Sequence, residues 1–460
     1  MCTVTTDVIP TLDEVESLLA RGDVVAARRG LDVVAGSVRD QARLAHEVAQ
    51  LYMRLDEPAL AAVFYRRAVA LDPACTAYRY NQSTALIALG RMDEAEAALD
   101  AVIAADPGDC DAWYNRATLR TQTPARNHVP ALERALRRPG LRNHEIAPLG
   151  HALAKELEDL GQYQPSFEAL VRGATARRAM LSYRVEDDEA IMRGLAGTFT
   201  RARVDEPAHG CGDRRPVFVV GLPRSGTTLV DRMLSSHGGI GSHGESSDFA
   251  LSLMQLAGPC GSKDELLERS ARVDPGELGA AYCRRLTACA GERVVDKTPA
   301  NFLYLGLIAR ALPAARIIYV RRRPMDVCYA IYKTLFRMAY PYSYDLDDLG
   351  RYWLAFDALM RHWQETLPAG RLLTVDYERL VAEPETTIRA MLGHIGMPWE
   401  DACLRFDRNP LPSLTASAAQ VRQPVYTSSV GKWRHHMHGL EPLARRLRAA
   451  GVSIDAEAAP

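Results

Sequence analysis

The stretch "VVGLPRSGTTL" sets glycines at 221 and 226 directly after an apolar run, Val217–Val220. This is the glycine spacing of the phosphate-binding loop G-x-x-x-x-G-K-[ST], but the lysine slot holds Thr227. In a triphosphate loop that lysine reaches the β- and γ-phosphates, and the last hydroxyl holds Mg²⁺. Thr227 cannot take the lysine's part. What survives is a tight turn ahead of a helix, whose successive backbone N–H groups form an anion nest. Gly221 and Gly226 allow its backbone angles. Arg224 adds a planar fork suited to phosphate or sulfate, and Ser225, Gly226, Thr227 and Thr228 line the turn. The expected ligand is an anion shorter than a triphosphate, held without metal.

A second basic turn follows another apolar run. In "RIIYVRRRPMDVCYAIY" (316–332), arginines 321 to 323 stand at a helix entrance, where they would neutralise a second phosphate. Between the two turns, "GERVVDKTPANFLYL" (291–305) brings Lys297 to the end of a third apolar run. "SSHGGIGSHGESSDFA" (235–250) carries His237, His243 and Glu245.

These residues need a scaffold. Apolar runs at 217–220, 293–296, 316–320 and 371–375 read as buried strands. Helical patterns lie between and after them, at 227–236, 302–312, 326–337, 347–366 and 384–396. Strands alternating with helices imply an α/β domain with a mostly parallel sheet. Ligands of such sheets sit at the carboxyl ends of the strands, where the glycine turn, the arginine run and Lys297 fall.

The N-terminal part is different. "LDEPALAAVFYRRAVALDP" (55–73) returns as "LGRMDEAEAALDAVIAADP" (89–107), offset by 34, and both copies close on Asp-Pro. A degenerate copy lies at 18–34 and a late one at 157–174. Two amphipathic helices per 34 residues resemble tetratricopeptide repeats. An α-helical solenoid is expected over 10–180, a linker over 181–214 and the α/β domain over 215–455. Such a solenoid has a concave face suited to an extended protein segment, or serves a homodimer.

The bulk properties are ordinary. With 56 Lys and Arg against 57 Asp and Glu, net charge is −1, so no overall field favours nucleic acid or an anionic membrane. No apolar stretch is long enough to span a bilayer, and the N-terminus does not read as a signal peptide. Nine cysteines are scattered singly, which points to a reducing cytoplasm rather than disulfides or zinc.

"VVGLPRSGTTL" resembles the 5′-phosphosulfate loop of the sulfotransferases, which use 3′-phosphoadenosine 5′-phosphosulfate (PAPS). "RRRPMDVCYA" is similar to their 3′-phosphate motif, with Arg322 on the key arginine. Two positions depart: Arg323 replaces Asp or Asn, and Ala330 replaces a serine whose hydroxyl meets the 3′-phosphate. The histidine of the small-molecule enzymes has no counterpart here. The closer likeness is to the tyrosylprotein sulfotransferases, over about 215–445. That likeness implies Glu245 as the base, with His237 and His243 as alternatives. It implies Lys297 and Ser417 at the leaving group, Arg224 on the transferring group, Tyr377 against the adenine and Lys432 on the nucleotide. It also implies the sulfotransferase fold and in-line transfer to an acceptor hydroxyl without metal. The acceptor expected is tyrosine of a peptide or protein, brought by the repeats, with a small-molecule or glycan hydroxyl as the alternative. "RMAYPYSYDLDDLGRYW" (337–353) reads as a loop over the acceptor or as a packed lead-in to a helix. The rival classes are a catalytically dead repeat scaffold and a metal-dependent kinase.

Overall fold

The computed structural model describes residues 11–21, 23–286, 290–337, 339–409, 411 and 426–454. The chain divides into two compact units, with the division between Leu141 and Arg142.

The first unit is helical. Its helices are α1 (Leu12–Ala20), α2 (Val24–Ser37), α3 (Ala42–Arg54), α4 (Pro58–Leu71), α5 (Thr76–Ala88), α6 (Met92–Ala105), α7 (Cys110–Thr118) and α8 (Val129–Leu136). The repeated Asp-Pro pairs sit where the periodicity puts them: Asp72 and Asp106 are the C-caps of α4 and α6. Proline cannot donate the next helical hydrogen bond, so each hairpin ends there. Small residues, among them Ala45, Ala49, Ala61 and Ala68, are wholly buried between the helices and let them pack closely.

The second unit starts with a helical hairpin, α9 (Asn143–Asp159) and α10 (Tyr163–Arg178). This contains the late repeat copy, yet it packs with the sheet-bearing part of the chain. Glu158 of α9, its side chain 9% exposed, accepts from Tyr329 Oη at 2.6 Å and Lys333 Nζ at 2.7 Å. The stretch expected as a linker, 181–214, is partly helical. It contains α11 (Val185–Thr198), and α12 (Arg201–Asp205) lies inside the same expected range. Val185, Met192 and Leu195 are buried, and Glu186 and Glu189 hold Arg351 of α19 (Leu346–Thr366). Charge and Gly-Pro content hid an amphipathic helix there.

The sheet has five strands: β1 (Pro216–Val220), β2 (Ile240–Gly244), β3 (Arg293–Asp296), β4 (Arg316–Arg321) and β5 (Leu372–Asp376). Their order is β2-β3-β1-β4-β5, with all neighbours parallel. The four expected strands are present. The fifth, β2, reads "IGSHG", with no apolar run to mark it, because it lies at the sheet edge and only Ile240 is buried. Helix α13 (Thr227–Leu234) follows β1, α14 (Asp248–Ala257) follows β2, and α15 (Lys263–Ser270) and α16 (Pro275–Arg285) lead to β3. After β3 come a 3₁₀ turn (Pro299–Tyr304) and α17 (Leu305–Ala311). After β4 comes α18 (Pro324–Tyr332), shorter than the expected 326–337. After β5 come α20 (Tyr377–Ala382) and α21 (Pro384–Ile395), and α22 (Met437–Ala449) ends the described chain.

One core lies between the sheet and α13 and α21, built on Val217, Val219, Ile318, Val230, Ile388 and Leu392. On the other face Phe218, Phe249 and Tyr282 pack ring to ring. Chain order reverses about β1, with β2 and β3 on one side and β4 and β5 on the other. The loop after β1 therefore opens at the switch point of the sheet, where such folds bind ligands.

Candidate active site

The loop from Gly221 to Gly226 is compressed against its neighbours. A Cβ on Gly221 would stand 2.7 Å from Val320 O and 2.9 Å from Ser225 Oγ. A Cβ on Gly226, which has φ +106°, would stand 2.4 Å from Tyr377 Cδ2. Only glycine fits at either position. Arg224 also takes a left-handed φ, +65°, which costs an ordinary residue roughly 1–3 kcal/mol and clusters at functional sites. Ser225 Oγ is buried and has no hydrogen-bond partner among the described residues. A buried hydroxyl with no partner is a place for a ligand acceptor.

Arg322 closes over this loop. Its Nη1 donates to Arg224 O at 2.8 Å and its Nη2 to Ser429 O at 2.9 Å. Its guanidinium carbon lies 4.5 Å from the centre of the Tyr377 ring. Both hydrogen-bond partners are neutral carbonyls, so they do not cancel its charge. Its Nε is buried without a partner among the described residues. Tyr377 is buried between Gly226 and Arg322, and its Oη meets Ser429 Oγ at 2.8 Å. That ring is packed under the arginine.

Arg321 behaves differently, which takes it out of the expected threefold cationic cluster. Arg321 stands opposite Asp376 in the parallel ladder and grips it with two bonds, 2.6 and 2.9 Å. The backbone N–H of Arg323 donates to Glu378 Oε1 at 3.0 Å. Residues 321 and 322 fall on opposite sides of the strand end, so Arg322 turns towards the glycine loop and Arg321 away from it. Ala330 is buried in α18 and offers no hydroxyl. Lys432 begins a 3₁₀ turn (Lys432–His436) fixed to α18 by the Gly431 N–H donating to Asp326 Oδ1 at 2.7 Å. Burial raises the Asp326 carboxyl, and Arg322 opposes that rise.

At the ends of β2 and β3 a carboxylate meets an amine. Lys297 Nζ donates to Glu245 Oε1 at 2.5 Å. The Lys297 side chain is 1% exposed and that of Glu245 44% exposed, so the pair faces outward through the carboxylate. The Lys297 backbone N–H donates to Gly244 O at 2.9 Å. Thr298 ties the two segments together, accepting from Ser246 N at 3.0 Å and donating to Asp296 Oδ1 at 2.7 Å. Asp296 is fully buried and accepts also from Tyr282 Oη and Asn301 Nδ2. Burial raises its carboxyl, and Thr298 and Tyr282 resist that. None of this network is visible as a motif; Asp296 directly before Lys297 is its one sequence trace.

The two histidines near Glu245 have other partners. His237 is buried, with Nε2 3.1 Å from Pro398 O and Nδ1 accepting from Gly239 N at 2.9 Å. His243 Nε2 meets Asp248 Oδ2 at 2.7 Å, and Arg285 donates to the other oxygen of Asp248 at 3.3 Å. Burial works against the Asp248 carboxylate, but His243 and Arg285 bring it below the usual range. In the tyrosine-rich stretch, Tyr342 and Tyr344 are core residues, and Tyr342 stacks on Tyr352 at 3.6 Å. Tyr340 is half-buried at φ +54°; burial raises its phenol, and the charge of Glu245 adds to the rise. Ser417 lies outside the described residues.

Comparison with known proteins bears on this arrangement. Residues 216–401 match the sulfotransferase family. That segment runs from the first residue of β1 to just past α21, so it includes the glycine loop, Glu245, Lys297, Arg322 and Tyr377. Residues 52–119 match the tetratricopeptide repeat. An uncharacterized protein of Aquifex aeolicus (strain VF5) is 30% identical over 79% of this chain and 49% of its own length. A protein-tyrosine sulfotransferase of Drosophila melanogaster is 25% identical over 47% of this chain and 46% of its own. The chain thus spans about half the length of these curated relatives. Among solved structures, the sulfotransferase domain of the Synechococcus PCC 7002 olefin synthase is 20% identical, covering 52% of this chain and 98% of that one at a TM-score of 0.36.

Proposed function

We propose that the sulfotransferase-family domain moves the sulfuryl group of PAPS to an acceptor hydroxyl, and that the acceptor is a tyrosine phenol in a peptide or protein. The observation that carries this reading is the Lys297–Glu245 contact at 2.5 Å, beside a phosphate-type loop that lacks the triphosphate lysine. A carboxylate and an amine at adjoining strand ends supply what in-line transfer asks of a protein: a base for the acceptor and a cation for the leaving group.

The residues present fit the donor. The turn 222–226 offers backbone N–H groups, Ser225 Oγ is a buried hydroxyl without a partner among the described residues, and Arg322 keeps an Nε without one. PAPS supplies the sulfuryl group and leaves as adenosine 3′,5′-bisphosphate. Arg224 and the Thr227–Thr228 helix start hold the sulfuryl oxygens, Arg322 holds the 3′-phosphate, and Lys432 contacts the nucleotide. Glu245 takes the proton of the attacking hydroxyl. Lys297 then turns its ammonium to the bridging oxygen, with Ser417 as a further donor. Tyr377 supports Arg322 and the loop at the adenine end. Proximity and preorganised charge account for the acceleration, as in phosphoryl transfer.

The acceptor reading draws support from the protein-tyrosine sulfotransferase likeness and from the repeats, whose helices α1, α3, α4 and α5 line a cavity of about 700 Å³ that includes Leu12, Glu16, Arg43, Tyr65 and Asn81. Labelled PAPS offered with tyrosine peptides, phenols, alcohols and glycans tests it. Label on peptide tyrosine is expected; label only on a small molecule or glycan would replace the acceptor, and label on nothing would favour an inactive scaffold.

A further inference from the structure

Helix α13 begins at the glycine loop and holds a carboxylate where its neighbours are core residues. Asp231 is buried beside Val230, Met233 and Leu234. A carboxylate in such a place is costly unless it is paired and hydrogen-bonded. Asp231 Oδ1 accepts from Ser242 Oγ at 2.8 Å. Ser242 Oγ in turn accepts from the Gly244 N–H at 3.1 Å. Gly244 O accepts from the Lys297 N–H at 2.9 Å. The next residue is Glu245, whose carboxylate holds Lys297 Nζ. One chain of hydrogen bonds therefore joins Asp231 to both members of the pair.

The backbone is irregular where this chain crosses it. The β2–β3 register shifts between Ser242 and Gly244, and Gly244 takes φ +65°. Bulges of this kind re-aim the side chain that follows, here Glu245. The surrounding charges are Lys297, Arg232 and Glu245: burial pushes the Asp231 carboxyl up, Lys297 and Arg232 oppose that, and Glu245 adds to it. Arg232 itself donates to Asn409 O at 3.1 Å.

We propose that Asp231 is a positioning residue for the transfer, a second carboxylate that fixes the Ser242–Gly244 bulge and so the aim of Glu245 and of the Lys297 it holds. The inference rests on the proposed function. As the acceptor oxygen bonds to sulfur, its proton goes to Glu245, and the electron pair of the broken sulfur–oxygen bond leaves with the bridging phosphate oxygen. At that moment the Glu245 charge is gone and Lys297 must point at the leaving oxygen. Asp231 keeps the Ser242–Gly244 bulge fixed through that step, so Glu245 and the Lys297 backbone bonded to Gly244 stay in register.

The test compares D231N, S242A, E245Q and the double variant D231N/E245Q in the full chain. Turnover with PAPS and a tyrosine peptide is measured along with calorimetric binding of adenosine 3′,5′-bisphosphate. D231N should lower kcat by roughly 10–100-fold, the scale of a misplaced reacting group, with KM for PAPS and bisphosphate affinity within about 3-fold of wild type. In the E245Q background the same change should cost less than about 3-fold, because groups acting as a unit are not additive. S242A should lower kcat in the same direction by about 3–10-fold. A D231N kcat within 3-fold of wild type, or an equal loss in both backgrounds, overturns the proposal. If D231N does not fold, an unchanged kcat in S242A overturns it. The Glu245 carboxyl resonance, assigned by ¹³C NMR against E245Q, separates this inference from the reading of function. If the chain transfers no sulfuryl group, a resonance displaced in D231N still supports positioning, and an unmoved one refutes it.

Discussion

The carboxyl edge of the sheet carries two polar assemblies of opposite character. At the ends of β1 and β4, Arg322 bonds only to carbonyls, Arg224 holds a left-handed turn, and the buried Ser225 hydroxyl and Arg322 Nε have no partner among the described residues. At the ends of β2 and β3, Lys297 meets Glu245, and Asp231, Asp296, Ser242 and Thr298 fill a closed network around them. The first assembly has cationic and donor capacity to spare, which suits an anion that comes and goes. The second finds its hydrogen-bond partners within the protein, which suits a proton that moves between fixed groups. Changes in the first half should therefore show in nucleotide affinity, and changes in the second in turnover.

The largest effect expected is in the second half. E245Q keeps the shape and removes the base, so kcat should fall roughly 10²–10⁴-fold while adenosine 3′,5′-bisphosphate binds nearly as before. Steady-state kinetics with calorimetry read both. A lost affinity with an intact rate would reverse the division.

Next comes the boundary of the catalytic unit. A chain starting at Arg142 keeps α9–α11 and should bind adenosine 3′,5′-bisphosphate like the full chain. One starting after residue 200 strips Glu158 from Lys333 and Tyr329, and Glu189 from Arg351. Helices α9–α11, with the apolar side chains they bury against the rest of the unit, go with those ion pairs, so this shorter chain should fail to fold by circular dichroism.

A pH effect of on the order of 3 kcal/mol is expected from α9 alone. Burial brings His151 down to about 4. Above its unfolded value of about 6.5 it contributes nothing. As pH falls through that value the unfolded chain takes up a proton that the folded chain refuses, so stability drops until about pH 4. Glu158, held well below the usual carboxylate value against its own burial by Lys333, His436 and Tyr329, loses stability in the same direction at still lower pH. Denaturant melts of wild type and H151Q between pH 7 and 4 should separate by this amount. The smallest of these effects falls in the first half: R322A should weaken adenosine 3′,5′-bisphosphate by about 2–3 kcal/mol, the range for lost charged hydrogen bonds, with little change in saturated turnover.

The cationic assembly was the more legible of the two. A glycine pair, an arginine and a strand-to-helix switch are local signals, and the turn from Gly221 to Gly226 follows β1 and opens α13 as the glycine spacing implies. The distinction between Arg321 and Arg322 was not legible, because it depends on Asp376 arriving across the ladder from 55 residues away. Strand β2 was hidden for a related reason: an edge strand of Gly, Ser and His carries no period. Glu245 was reached through resemblance alone. Asp231 stands in no motif, and its place depends on Ser242 meeting it from β2, while α9–α10 carry a repeat pattern whose Glu158 serves the sheet-bearing part of their own unit.

The most direct test of the account is sulfur transfer itself, measured with ³⁵S-labelled PAPS, a tyrosine peptide and the full chain in excess chelator. The account predicts label on the tyrosine oxygen, with adenosine 3′,5′-bisphosphate released in equal amount. Transfer that stops with chelator and resumes with Mg²⁺, or bound nucleotide with no label on any acceptor, would contradict it.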